Sequence, residues 1–78
     1  MSVIDSDRHA DLIALQRAVY EATDALYAYE GDDAESMREE CRQAAAKKEA
    51  ALYESGLVAE HGYYVASQDL KNAAKTAG

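Results

Sequence analysis

The stretch EHGYYVASQ, residues 60–68, sets His61 beside Glu60 and two residues before the pair Tyr63 and Tyr64. An imidazole with a neighbouring carboxylate and a phenol has the parts of a general acid or base, but that work needs a pocket and a second positioned group. No partner falls in register with His61. Cys41 would be a nucleophile only if a base or a positive dipole lowered its pKa. Glu39 and Glu40 stand just before it and oppose that, and its spacing from Met37 and Ala44 is that of a buried, inert thiol. His9 lies among Asp5, Asp7 and Asp11, whose oxygens suit a metal, without a second histidine at ligand spacing. YEGDDAESMREE gathers carboxylates but lacks the alternating ligands and closing glutamate of a calcium-binding EF-hand loop. No catalytic, cofactor-binding or metal-ligating residue is assigned, and the chain is expected not to be an enzyme.

Two local stretches resemble parts of known families. Ser36, in DDAESMRE, precedes an apolar residue at an expected helix start in a short acidic chain. In this it resembles the acyl carrier proteins, whose serine would bear a phosphopantetheine arm. That family's motif is Asp-Ser-Leu ahead of an apolar-rich helix, whereas Glu35, Ser36 and Met37 lead into charge and alanine, so Ser36 is read as a first-turn residue. LYESGLVAEHGYYVAS resembles the end of a recognition helix running into the wing of a winged-helix protein. The upstream residues 33–54 read as one uninterrupted rod, without the short helix and tight turn which that domain requires.

The elements that must hold these residues are helices. The chain of 78 residues has no proline, only four glycines, and 17 alanines, a strong helical composition. Leu12, Leu15, Val19, Ala22, Leu26 and Tyr29 step by three and four, predicting a first helix over about 7–29. Gly31 is expected to stop it in the left-handed conformation. Asp32 with Glu35 predicts the cap of a second helix over about 33–54, with Met37, Cys41, Ala44, Ala51 and Leu52 along a seam that Lys48 interrupts. Gly56 closes it. Ala59, Tyr63, Ala66, Leu70, Ala73 and Ala77 predict a third, continuous helix, giving an all-α, small up-down-up three-helix bundle. The alternative is two long helices followed by a short β-hairpin, GLVAE–HG–YYVAS, and a terminal helix. Residues 1–6 are read as a flexible N-terminus and 7–76 as a single helical domain.

With no Phe or Trp and so much alanine, the core is thin. Large side chains such as Leu12, Ile13, Leu52, Leu57 and Leu70 each contribute roughly 1.5 to 3 kcal/mol when fully buried, against about 1 to 2 kcal/mol of backbone entropy per ordered residue. Self-association is therefore expected. Tyr20 and Tyr27, seven and fourteen residues after Ile13, form a second ridge on the first helix. Leu57, counted also among the core formers, aligns with His61 and Tyr64 on a continuous third helix. These are the expected partner-binding residues, together with the carboxylates Asp32, Asp33, Glu35 and Glu39.

The net charge is −7, and residues 21–40 hold eight acids against Arg38 alone. Without a basic footprint, direct nucleic-acid binding is not expected; a basic protein partner is. MSVIDSDRHADL lacks the basic stretch and apolar run of a signal peptide, and no apolar run is long enough to span a bilayer. One isolated cysteine suits a reducing compartment, so a cytoplasmic location is expected. The function expected is that of a self-associating protein–protein interaction module, an adaptor or regulator without catalysis. The alternative is an acidic inhibitor or nucleic-acid mimic that occupies the basic groove of a nucleic-acid-binding protein.

Overall fold

The three- and four-residue spacings resolve into four α-helices: α1 (Ala10–Ala28), α2 (Ala34–Glu54), α3 (Leu57–His61) and α4 (Tyr63–Thr76). The computed structural model describes residues 2–76, and Ala77, placed by its spacing on the third seam, lies outside them. The all-α class is as expected. Among the described residues there is no strand, so the β-hairpin alternative is overturned: residues 57–61 and 63–76 are helical, and Gly62 between them is a helix hinge rather than a hairpin turn. No helix of the described residues is long and apolar enough to cross a membrane.

A capped turn precedes α1. The Asp5 carboxylate accepts the amides of Asp7 (2.8 Å) and Arg8 (3.2 Å), while His9 Nδ1 accepts the Asp5 amide at 2.9 Å. These two backbone bonds, Asp7's first, lower the Asp5 pKa. His9 is thus part of the helix start. Val3 and Ile4 pack on the core, and the Val3 amide donates to the Asp69 carboxylate of α4 at 2.9 Å. Residues 3 and 4 are thus tied to the core and to α4.

Gly31 does not end α1 in the left-handed conformation; positive φ occurs only at Gly56 and Gly62 among the described residues. Tyr29 leaves the helix in extended conformation and its hydroxyl accepts the Asp33 amide at 2.9 Å, folding its ring over the loop. A side chain at Gly31 would meet that ring, its Cβ 2.5 Å from the hydroxyl oxygen. Close approach is the reason for glycine here. The cap of α2 is Asp33, one residue later than expected, and its carboxylate accepts the Ser36 amide at 3.4 Å.

Gly56, at φ 84°, closes α2 as expected and starts α3. Gly62, at φ 88° and ψ 153°, breaks what the periodicity reads as one rod. Its amide donates to Val58 O to finish α3, and its carbonyl accepts from Ala66 to begin α4. The break rotates the seam. Ala59 is exposed, and the buried face of α4 is Ala66, Ser67, Leu70 and Ala74. These meet Leu12 and Ile13 of α1, Leu52 of α2 and Leu57 of α3 in a core near the α2–α3 turn. Gln16 is also buried there with its Oε1 unpartnered, a cost to an already small core.

Candidate interaction surfaces

Two neighbouring hinges, Gly56 and Gly62, fold the chain back so that Tyr53 at the end of α2 meets Tyr63 at the start of α4. Their rings stack with centroids 6.0 Å apart and planes 22° from parallel. The Tyr63 hydroxyl donates to Glu49 Oε1 at 2.7 Å, and the Lys48 ammonium reaches the same oxygen at 2.6 Å. Burial pushes the Glu49 carboxyl up, but the bonds from Lys48 and Tyr63 outweigh it and hold the group below its ordinary value. The bond to Glu49, with burial second, raises the Tyr63 phenol. The ring pair is thereby pinned in place while remaining open to water: Tyr53 is 56% exposed and Tyr63 43%, with Tyr64 (75%) and Val65 beside them on the first turn of α4. Large apolar side chains held rigid at a surface lose little entropy on being covered, a property of interface anchors.

The expected site residues are distributed differently from the spacing argument. Tyr63, expected in the seam, is exposed instead, because the break at Gly62 turns the buried face of α4 to Ala66, Ser67, Leu70 and Ala74; Tyr64 is outside, as expected. Leu57, expected on the same outer ridge as His61 and Tyr64, is 5% exposed and belongs to the core, because the break at Gly62 uncouples α3 from α4. His61 closes α3 with Nε2 3.9 Å from Glu60 Oε2, on the other side of the hinge from Tyr64. Tyr20 is half-buried against α4: its hydroxyl donates to Lys71 O at 3.4 Å, Lys75 Nζ stands 6.0 Å from the ring centroid, and burial raises the phenol's pKa. It serves the α1–α4 contact. Tyr27, by contrast, is 83% exposed. Tyr53 and Val65 join the surface without being marked by the helical spacing; the signal for them is the two glycines six residues apart, which let residues 53 and 63 turn back on each other.

The second surface is the far end of the α1–α2 hairpin. Asp33 is engaged as a cap. Glu35 pairs with Arg38 (3.5 Å) and Arg42 (3.1 Å), and Glu39 pairs with Arg42. The bonds to Arg42 and Gln43 lower the Glu39 carboxyl. Asp32 is exposed in the loop. Cys41 is half-buried along α2. Among the described residues no group of three or more His, Cys, Asp or Glu side chains is arranged to hold a metal ion. No protein-family model, curated protein or solved structure matches this chain.

Proposed function

We propose that this chain is a small acidic protein–protein interaction module, an adaptor or regulator with no chemistry of its own, and that it self-associates through the tyrosine corner. The observation that carries the proposal is the exposed group of Tyr53, Tyr63, Tyr64 and Val65, in which the Tyr53–Tyr63 ring pair is pinned. Its placement beside a core of seven buried apolar residues among the described ones, two of them alanines, supports it: covering the corner adds apolar burial that the monomer lacks. A reducing, cytoplasmic setting goes with the single free cysteine.

Tyr64→Ser is the test. The wild-type protein is expected to increase in mass and melting temperature with concentration across the micromolar range. The variant should weaken association by about 1 to 2 kcal/mol while changing monomer stability by about 0.5 kcal/mol or less. Light scattering at monomer mass throughout, with a concentration-independent melt, ends the proposal. The second function, an acidic mimic in a basic nucleic-acid-binding groove, draws on the carboxylates of α2. It takes second place because Glu35 and Glu39 are partly neutralised by Arg38 and Arg42.

A further inference from the structure

Burial falls away along both long helices in the same direction. Leu12, Ile13 and Gln16 of α1 and Lys48 and Leu52 of α2 are buried, yet no residue from Arg17 to Lys47 is. The seams themselves do not end there. Val19, Ala22 and Leu26 continue the spacing on α1, and Met37, Cys41 and Ala44 continue it on α2, all half-buried. What changes is the third helix. At about 1.5 Å per residue, the 14 residues of α4 reach some 21 Å, about two thirds of the length of the 21-residue α2. The ridge of Ile13, Tyr20 and Tyr27 records the result: Ile13 is buried, Tyr20 is half-covered by the last turns of α4, and Tyr27, two turns further on, is uncovered.

We infer that this two-helix arm is a docking face for a basic amphipathic helix, which lies along α1 and α2 beyond α4 and completes the bundle. Charge selects the occupant. The arm carries Glu21, Asp24, Glu30, Asp32, Asp33, Glu35, Glu39 and Glu40 against Arg38 and Arg42, so an apolar stripe must arrive flanked by lysine or arginine. The arm of a second copy has the same sign and is repelled. Length selects it too: the third of α2 that α4 does not reach, about residues 34–40, corresponds to a helix of about two turns with apolar anchors at i, i+3, i+4 and i+7. This surface lies at the opposite end of the α1–α2 hairpin from the tyrosine corner, so the two proposals stand or fall separately.

The probe is a synthetic peptide of just over two turns with leucines at those positions and lysines elsewhere, compared with a peptide of identical composition in scrambled order. The ordered peptide is expected to bind at least about tenfold more tightly, to shift amide resonances of residues 19–45, and to weaken steeply with salt. Tyr27→Ser, at an exposed position that leaves the fold intact, should weaken it about tenfold, in the range of an interface anchor. Equal binding of the scrambled peptide, shifts centred on Tyr53 and Tyr64, or an affinity untouched by Tyr27→Ser would overturn the inference. So would a dimer dissociated by Tyr27→Ser and not by Tyr64→Ser, which would make a second copy the occupant.

Discussion

Lys48 breaks the apolar seam of α2 by residue type, yet its side chain is only 7% exposed, with the ammonium against Glu49. Its long stem can lie along apolar surface while its head meets a carboxylate that is itself a third exposed. The pair is therefore asymmetric: Glu49 is the partner that a buried charge cannot lose. Glu49→Gln is expected to cost about 1 to 3 kcal/mol at neutral pH, measured by denaturant unfolding, because the ammonium loses its countercharge. Lys48→Met, which keeps the stem and leaves Glu49 with water and Tyr63, should stay within about 1 kcal/mol of the wild type. The pH dependence has a definite sign. Since the folded Glu49 carboxyl lies below its ordinary value of 4.5, its contribution is complete above that value and is lost as pH falls through the lower, folded value. Stability should thus fall less in Glu49→Gln than in the wild type as pH is lowered from 6 to 3; parallel curves would contradict it.

At the scale of the element, the decisive feature is the pair of hinges around α3, five residues that are too short to be stable alone. Nothing stands within 4 Å of a Cβ added at Gly56 or Gly62, so any cost of substitution is one of backbone conformation. The two sites differ in kind. Gly56, at φ 84° and ψ −5°, is in the left-handed helical region that asparagine also enters, whereas Gly62, at φ 88° and ψ 153°, is in a region restricted almost entirely to glycine. Gly56→Asn should cost less than about 1 kcal/mol, and Gly62→Ala about 1 to 3 kcal/mol. Thermal unfolding of the two variants checks the difference. A stabilised Gly62→Ala protein would mean that α3 and α4 prefer to be one rod, the arrangement the periodicity predicts.

For the whole molecule, uneven coverage by α4 divides one hairpin into a packed end and an open arm. Sections with little buried apolar surface open locally at lower free energy than the core. Amide hydrogen exchange should therefore be at least about tenfold faster for the middle of the arm, around Val19–Leu26 and Met37–Ala44, than for Ile13–Gln16, Lys48–Leu52 and Ala66–Ala74. Uniform protection would contradict the division. A bound basic helix is expected to slow exchange in the arm.

The sequence alone determined the helical class, the extents of α1 and α2 to within a few residues, the Gly56 cap, the outward position of Tyr64 and the acidic end. All of these follow from interactions within a few residues of the chain: the 3.6-residue period, helix propensity, capping and local charge density. It did not determine the break at Gly62. A glycine inside a helical pattern costs only about 1 kcal/mol relative to alanine, and here the burial of Leu57 beside Leu52 and Leu70 offsets the loss of continuity. Nor could periodicity say that Lys48 would be buried, that Tyr53 would stack on Tyr63, or that α4 would leave Tyr27 uncovered. Those depend on the angle at which α4 returns and how far it reaches, which are decided by contacts between residues distant in the chain.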